Sequence, residues 1–349
     1  MQQDISFEKR DEFNRKPHTE RIIKLLKSDI DLSPIVINGD WGTGKTEFCL
    51  KTLKLINSAH SGELNAVYFD AFSEDYIDQP LLSLLTVIYN AFPTEKVTHD
   101  FISSGAALLR FATKTGVNFT LRSLLGDEVA NLVKEGVSHI NEDELKKWFQ
   151  EKAKIQHQMQ LLQNSLSSLT ESQKLVLFID ELDRCRPDYA MHLLEIVKHF
   201  FEIDGLRIVF VANLKQLTTS ISHNYGNSEE EARKYLEKFF KIELSIPNII
   251  ENRPSNENAE LAPSRYFDEL VKQKALNKHY FLFSGNDGVR ICFLFKELIE
   301  HFDLSLRGVE KLVRDIQIYQ TLFSPSEQYD RAYKFLILYA IFSLSRNAS

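Results

Sequence analysis

The chain contains little cysteine, and its few cysteines are far apart. Its 349 residues include three, Cys49, Cys185 and Cys292, and none has a partner at the spacing of a metal-binding pair. The spacing therefore argues against a disulfide framework and against a zinc site. We expect buried thiols in a reducing compartment.

A long apolar run is also missing. The most apolar stretch, residues 335–342, is too short to span a bilayer and predicts a buried helix instead. The polar N-terminus has no signal-peptide pattern. From these two absences we expect a cytoplasmic protein without membrane-spanning segments.

An excess of basic residues is the third absence. The formal net charge at pH 7 is −7, and the sequence pI is about 5.9. Nonspecific nucleic-acid binding depends on Lys and Arg side chains that neutralise phosphates, so this balance does not support direct binding of DNA or RNA. The composition, with 43% hydrophobic and 26% charged residues, is typical of a globular protein with one large domain or two moderate ones.

One glycine-rich stretch carries the strongest signal in the sequence. It fits the phosphate-binding pattern G-x-x-x-x-G-K-[ST] without a mismatch, and it lies between a predicted strand at residues 34–38 and a predicted helix at 47–56. A chance match in an ordinary turn is the alternative, and the flanking strand and helix argue against it. The residues that we expect to bind the nucleotide are Gly39, Asp40, Trp41, Gly42, Thr43, Gly44, Lys45, Thr46 and Glu47.

The chemistry expected of this loop is phosphate binding. Glycines let the backbone turn sharply and approach a ligand closely, and backbone N–H groups at the start of a helix attract phosphate oxygens. Lys45 is predicted to reach the β- and γ-phosphates and is therefore also a catalytic candidate. Thr46 is predicted to bind Mg²⁺ through its hydroxyl.

Predicted strands and helices alternate along the chain, which bears on the fold class. Further buried strands are predicted at 66–70, 175–179, 206–212 and 242–246. Continuous apolar strands between helices predict an α/β fold with a parallel sheet covered by helices on both faces. We expect a nucleotide-binding core at 1–250, with a helical insertion at about 93–170, and a helical C-terminal lid at 251–349.

Acidic residues follow the third predicted strand. Asp180, at its end, is a candidate ligand of Mg²⁺. Glu181 is placed to polarise an attacking water, and Asp183 is a rival for that general-base role. Adjacent acids at a strand end are also common as solvated turn residues, but the phosphate-binding pattern upstream favours the catalytic interpretation.

Two further candidates come from the fourth strand and from the lid. Asn213 ends the fourth strand, where its amide can orient the water or contact the γ-phosphate; asparagine is also favoured in turns and helix caps. Arg307 opens a predicted lid helix and is a candidate for stabilising the transferring phosphoryl group. The alternative for a single arginine is an ordinary exposed charge.

These motifs together resemble those of the KAP-type P-loop NTPases. The similar segments are residues 39–46, with the aromatic Trp41 in the loop, residues 178–187, and residues 235–240. The resemblance covers roughly residues 10–320. It implies a P-loop NTPase fold of the additional-strand, catalytic-glutamate class, related to AAA+ and STAND ATPases, and many bacterial relatives are linked to phage exclusion and defence.

The sequence departs from that family at two points. Family members often carry Asp-Asp where this chain has Asp180-Glu181, so a catalytic glutamate is better supported here. Many members also insert membrane helices between the two nucleotide motifs, whereas residues 93–140 are too polar and too interrupted by glycine to span a bilayer.

The resemblance implies an activity and its cofactors. We expect Mg²⁺-dependent hydrolysis of ATP at the β–γ bond by a nucleotide switch or assembly ATPase, in a bacterial antiphage defence or exclusion system. Two alternatives are an AAA+-like motor that remodels protein or nucleic acid, and a nucleotide-bound scaffold with little turnover. The choice of ATP over GTP rests on the resemblance alone. A protein partner is expected, and assembly into a homo-oligomer is left open.

Overall fold

A computed structural model of the chain describes residues 5–77, 79–92, 99–114, 142–201, 203–250, 260–274, 285–322 and 331–347. The chain packs as two compact units, which we describe separately. The sheet unit comprises the described residues of Arg21–Asn38 and Cys49–Ser245. The helical unit comprises the described residues of Met1–Glu20, Gly39–Phe48 and Ile246–Ser349.

The sheet unit is built on five parallel strands in the order β2-β3-β4-β1-β5. Their bounds are β1 Ile35–Asn38, β2 Leu64–Asp70, β3 Lys174–Asp180, β4 Leu206–Ala212 and β5 Ile242–Ser245. The two central strands β3 and β4 are almost wholly buried, as continuous apolar runs in a parallel sheet require. The predicted α/β fold is confirmed, and each predicted strand is present.

Helices make up most of the remaining described chain. Their bounds are α1 Lys16–Lys27, α2 Lys45–Ala59, α3 Ala71–Glu74, α4 Pro80–Ala91, α5 His99–Lys114, α6 Glu142–Thr170, α7 Pro187–Phe200, α8 Leu214–Tyr225, α9 Glu229–Leu236, α10 Ala262–Gln273, α11 Gly285–His301, α12 Leu306–Leu322 and α13 Arg331–Asn347. Two 3₁₀ turns, Asp75–Ile77 and Leu182–Arg184, follow α3 and β3.

The predicted insertion contributes to the core of the sheet unit. In α6, Leu162 and Leu166 are fully buried within that core, because apolar residues at helical spacing share one face. α5 packs against α6. Residues 115–141 of the insertion lie outside the described part of the chain.

The helical unit has a second core, formed by α10 to α13. Phe267, Phe295 and Phe342 lie at its centre, and Phe13 of the N-terminal segment joins it. Two short antiparallel strands, β6 Ile249–Ile250 and β7 Glu260–Leu261, precede these helices. Helices are therefore present where the sequence predicts the C-terminal lid, while the proposed domain boundary at residue 250 stays a prediction.

The membrane prediction can be compared with the helices. Within the residues that the structure describes, every helix is too short or too polar to cross a bilayer.

Candidate functional site

Three strands of the sheet unit end side by side. In the register of the sheet, Asn38 of β1 pairs with Ala212 of β4, and Asp180 of β3 pairs with Val211 of the same strand. Parallel strands place their carboxyl ends at one edge of the sheet, which is where ligands of such sheets bind. Asn38, Asp180 and the residue after β4, Asn213, therefore share this edge.

Asp180 is held in a fixed orientation at the end of β3. Its side chain is only 1% exposed; Oδ2 accepts a hydrogen bond from the hydroxyl of Tyr68 at 3.1 Å, and Oδ1 accepts one from the backbone N–H of Glu181 at 2.8 Å. Burial and the charge of Asp180 together raise the pKa of Tyr68. The same two causes raise the pKa of Cys49. Asp180 thus presents a buried carboxylate whose position is set by Tyr68 of the adjacent strand β2 and by the backbone of Glu181.

Glu181 has a strained backbone. Its φ of 62° and ψ of 24° lie in the left-handed region, which is unusual for any residue other than glycine and is often associated with functional sites. The carboxylate pairs with Arg184, three residues on. The candidate general base is therefore a mostly buried acid with a defined partner.

The turn that follows β3 is tied to the turn that follows β2. Arg186 donates from its backbone N–H and its Nε to the carboxylate of Asp75, at 2.9 and 2.8 Å, and from Nη2 to the carbonyl oxygen of Asp75, at 2.9 Å. These three bonds limit the movement of the Leu182–Arg184 turn, in which Asp183 is buried. Asp183 thus stays a second candidate for the base.

Asn213 acts as a helix cap. Its Oδ1 accepts a hydrogen bond from the backbone N–H of Gln216 at 3.2 Å, at the start of α8. The helix cap, one of the two roles that the sequence allowed for Asn213, is therefore present. The cap does not test a role in hydrolysis, which stays a prediction. Asn38 also contacts this end of the helix, because its Oδ1 accepts from the N–H of Leu214 at 3.0 Å.

The phosphate-binding loop belongs to the helical unit, and two of its glycines combine a positive φ with close neighbours. Gly42 has φ +77°, and a Cβ there would lie 2.7 Å from Ser305 Oγ. Gly44 has φ +82°, and a Cβ there would lie 3.3 Å from both Arg15 Nη1 and Leu306 Cδ1. The positive φ favours glycine at both positions, and at Gly42 the close approach of Ser305 also leaves no room for a Cβ.

Lys45 is folded over the loop. Its Nζ donates to the carbonyl oxygens of Gly39 at 2.7 Å and Asp40 at 3.0 Å. The Thr43 hydroxyl donates to the Asp40 carbonyl at 2.8 Å, which closes the turn. Because hydrogen bonds between two charged groups are stronger than those to a neutral carbonyl, a phosphate group is a better partner for this ammonium than the loop backbone.

Three other predicted residues lie on or beside the loop. The side chain of Trp41 is about half exposed. Thr46 is the second residue of α2, and Glu47, the third, forms an ion pair with Arg10 at 2.6 Å. This ion pair gives Glu47 a role in holding the N-terminal segment, while nucleotide contacts by all three residues stay predictions.

Arg307 lies next to the loop within the helical unit. Arg307 is an exposed residue in the first turn of α12. A Cβ built at Gly42 would lie 3.0 Å from the Cβ of Arg307. The structure therefore brings Arg307 beside the phosphate-binding loop. Its action on a phosphoryl group stays a prediction.

Comparison with known proteins identifies the family of this chain. The model of the KAP family P-loop domain matches residues 15–323, which is most of the chain. The chain belongs to the KAP family. It is therefore a nucleotide-binding, NTP-hydrolysing P-loop enzyme. No curated protein matches the KAP chain.

Two solved structures are distantly similar to this KAP chain. PCH-2 of C. elegans is 14% identical with a TM-score of 0.35, over 96% of this chain and 70% of PCH-2. AMPPCP-bound DnaA from Aquifex aeolicus is 13% identical with a TM-score of 0.30, over 98% of this chain and 80% of DnaA. At these scores, neither likeness supports an argument about activity.

Sequence reasoning missed two residues of this KAP chain, one in each unit. Tyr68 fixes Asp180, and only the pairing of β2 with β3 shows this, although Tyr68 lies in a predicted strand. Arg15 donates to the carbonyl oxygen of Thr43 in the loop. It lies in a polar N-terminal segment, where one arginine among several charged residues carries no distinguishing pattern.

A cluster of side chains able to hold a metal ion alone is not found among the described residues. Magnesium in phosphate-transfer enzymes commonly has one or two protein oxygens as ligands, and phosphates and waters complete the coordination. The hydroxyl of Thr46 and the carboxylate of Asp180 carry oxygen atoms of the type that magnesium accepts. Binding of the ion by either residue stays a prediction.

Proposed function

We propose that this KAP protein hydrolyses ATP at the β–γ bond in an Mg²⁺-dependent reaction and uses the cycle as a nucleotide switch or assembly ATPase. The observation that carries the proposal is the pair of acids at the end of β3, Asp180 and Glu181. Asp180 is buried and fixed by two hydrogen bonds, and Glu181 follows it in a strained conformation. Both acids lie at the sheet edge where β1 also ends. In the chain, the phosphate-binding loop begins at Gly39, the residue that follows β1.

Each predicted residue has a defined part in this proposal. The loop N–H groups and Lys45 bind the β- and γ-phosphates, which places the γ-phosphorus for attack. Thr46 and Asp180 are the residues that would hold Mg²⁺, and their oxygen ligands suit that ion. Bound Mg²⁺ would neutralise charge that develops on the phosphate oxygens.

Glu181 is the proposed general base. It accepts a proton from a water molecule as that water attacks the γ-phosphorus; the bond from phosphorus to the bridging oxygen then breaks, and ADP leaves with that electron pair. Asn213 would orient the water, and Arg307 would offset charge on the transferring phosphoryl group. Asp183 is the alternative base.

The proposed switch is a change in conformation or assembly state that depends on the bound nucleotide. A nucleotide can shift a conformational equilibrium only through different affinity for the two states. The proposed cellular setting is the cytoplasm, in an antiphage defence or exclusion system with a protein partner. The setting and the preference for ATP rest on family membership.

A remodelling motor is a second candidate, favoured by exposed aromatics. Phe72 in α3 and Tyr76 in the following 3₁₀ turn are 51% and 82% exposed. Phe72 follows the end of β2 by two residues and Tyr76 by six, and the carboxyl end of β2 lies at the same sheet edge as Asp180. Aromatic side chains bury a large apolar area, and tyrosine is enriched at interfaces, which suits contact with a polypeptide substrate.

One set of measurements tests the proposal. Phosphate release is measured with ATP and with GTP, in Mg²⁺ and in excess EDTA, and light scattering is measured with ADP and with a nonhydrolysable ATP analogue. We expect release only with Mg²⁺, ATP preferred, and a different hydrodynamic size in the two nucleotide states. Equal phosphate release in EDTA would exclude the Mg²⁺-dependent step. A rate of phosphate release that unfolded protein stimulates in the wild type, but not in Tyr76→Ala, would favour the motor.

A further inference from the structure

Arg15 is a buried arginine that binds the backbone of the phosphate-binding loop. Its side chain is 5% exposed. Nη1 and Nη2 each donate to the carbonyl oxygen of Thr43 at 3.2 Å, and Nη2 also donates to the carbonyl oxygen of Pro247 at 3.2 Å. The guanidinium carbon lies 4.7 Å from the centre of the Phe13 ring. All four residues belong to the helical unit.

This arrangement is costly for the cation. Burial lowers the pKa of Arg15 to about 10, although the charges of Glu47, Glu12 and Asp11 act in the opposite direction. A charged group loses its hydration when it is buried, and its hydrogen bonds must compensate for that loss. The described partners of the Arg15 guanidinium are backbone carbonyls rather than a carboxylate. What the arginine specifically fixes is therefore the orientation of those carbonyls.

The carbonyl of Thr43 determines where the next N–H points. A trans peptide is planar, and its C=O and N–H bonds point in opposite directions. The peptide between Thr43 and Gly44 therefore directs the Gly44 N–H away from Arg15 when its carbonyl binds the guanidinium. The Gly44 N–H is one of the donors that the phosphate-binding pattern requires.

The same peptide is easy to turn over without such a bond. Gly44 has φ +82°, and glycine has no Cβ to oppose rotation of the peptide into other orientations. The reversed peptide would aim the carbonyl oxygen, rather than the N–H, at an incoming phosphate. An anion would then meet a partial negative charge in place of a donor.

We propose that Arg15 is a positioning residue that holds the Thr43–Gly44 peptide with its N–H directed at the nucleotide phosphates. Arg15 acts through the backbone and touches no reacting atom. This inference deepens the proposed function, because it rests on phosphate binding by the loop. It predicts that the hydrogen-bonding geometry of the guanidinium matters beyond its charge.

The sequence allows this peptide to be observed directly. Thr-Gly occurs twice, at 43–44 and at 115–116, so protein labelled with carbonyl-¹³C threonine and ¹⁵N glycine gives two threonine–glycine correlations. Thr115→Ser identifies the second. The Thr43 carbonyl shift reports the bond from Arg15, and the Gly44 amide shift reports the phosphate, with ADP as the added ligand.

Two variants and a matched control separate positioning from charge and from folding. Arg15→Lys keeps the charge but cannot reproduce the paired donors, and Arg15→Met removes both charge and donors. Arg207→Lys is the control, because Arg207 is also a buried arginine that donates to a backbone carbonyl, that of Ser28, at 3.0 Å. Thermal unfolding is measured for all three variants.

The expected result is specific to position 15. Both Arg15 variants shift the Thr43 carbonyl signal, lose most of the Gly44 response to ADP, and bind ADP about 10-fold to 100-fold more weakly, with Arg15→Met the weaker binder. Arg207→Lys keeps the wild-type Gly44 response and ADP affinity.

Three results would overturn the inference. An Arg15→Lys protein with the wild-type Gly44 response and ADP affinity would show that charge alone is needed. Equal loss of ADP affinity in Arg207→Lys would assign the effect to general destabilisation. A wild-type Gly44 signal that does not respond to ADP would overturn phosphate binding by the loop, and with it the proposed function.

Discussion

The hydroxyl of Tyr68 donates a hydrogen bond to Oδ2 of Asp180 at 3.1 Å. The two residues lie on the neighbouring strands β2 and β3, where Tyr68 is two positions before the residue that pairs with Asp180. The bond therefore holds a proposed magnesium ligand from a strand that carries neither nucleotide motif. Its role can be tested in two ways.

Tyr68→Phe is expected to raise the Mg²⁺ concentration needed for half-maximal ATPase activity. Groups that orient a metal ligand commonly change metal affinity by about 10-fold or more when removed, and the phenyl ring keeps the packing of β2. Tyr89→Phe is the control, since Tyr89 is a partly buried tyrosine against the same core. An unchanged Mg²⁺ midpoint in Tyr68→Phe would show that Asp180 needs no support from β2.

Alkaline stability gives an independent test of Tyr68. Burial, and then the charge of Asp180, raises its pKa above the ordinary value of 10.0, so the folded state keeps a proton that the unfolded state loses. This contribution to the free energy of unfolding is present below pH 10 and is lost as pH rises above it.

Tyr68→Phe should therefore lose less stability than wild type between about pH 9.5 and 11. The difference in slope cannot exceed about 1.4 kcal/mol per pH unit, because one proton is involved. Tyr68 is half-buried, so solvent screening makes the difference smaller than this limit. Urea unfolding of both proteins at several pH values measures it. Parallel pH profiles would contradict the assigned cause.

Gly42→Ala is expected to impair the phosphate-binding loop. The φ of +77° is unfavourable for alanine, and the new Cβ would lie 2.7 Å from Ser305 Oγ, so ATP affinity should fall by about 10-fold or more. Gly62→Ala is the matched control, since a Cβ at Gly62 would meet no described atom within 4 Å and Gly62 has no positive φ. Equal ATP affinity in the two variants, measured by calorimetry, would show that the loop tolerates this strain.

How much of this could be read from the sequence depends on the range of each interaction. The loop and the acid pair were predictable because each is a contiguous pattern beside an apolar strand. The bond between Tyr68 and Asp180 joins residues 112 positions apart, and Arg15 reaches Pro247 across 232 positions. No local pattern specifies such pairs, because they depend on how strands and segments meet.

Backbone conformation limits prediction in a different way. Nothing in the residues around Glu181 indicates its left-handed φ of 62°, since non-glycine residues rarely adopt that region. Asn213 shows the opposite case, because the sequence allowed both a helix cap and a catalytic amide. The structure displays the cap and leaves the second role to experiment.

Lys45→Ala should remove ATP binding together with hydrolysis, because the positive charge of Lys45, which is proposed to contact the β- and γ-phosphates, is lost. Trp41 in the loop offers a direct signal. The chain has only two tryptophans, Trp41 and Trp148, so emission in a Trp148→Phe background reports Trp41 alone. We expect ATP with Mg²⁺ to change this emission when Lys45 is present and not in Lys45→Ala. Wild-type ATP affinity in Lys45→Ala would contradict phosphate binding by this loop.

The remaining prediction concerns Glu181 and the proposed switch together. Glu181→Gln keeps the size of the side chain but removes the charge that accepts a proton, which typically costs about 10²–10⁴ in rate. Lys45, Thr46 and Asp180 are unchanged, so the variant should bind ATP normally and hold it unhydrolysed. Asp180→Asn should differ, because it weakens Mg²⁺-dependent binding as well as turnover.

If ATP favours one conformation or assembly state, that state should accumulate in Glu181→Gln, because hydrolysis no longer removes the ligand that stabilises it. Light scattering of Glu181→Gln with ATP, compared with wild type under turnover, measures the accumulation, and Asp183→Asn serves as the parallel variant. Full hydrolysis by Glu181→Gln and none by Asp183→Asn would move the base to Asp183. Glu181→Gln could instead hydrolyse ATP slowly but show no ATP-dependent change in size or shape, with or without a partner. That result would exclude the switch, because the trapped ATP-bound state would then have no structural consequence.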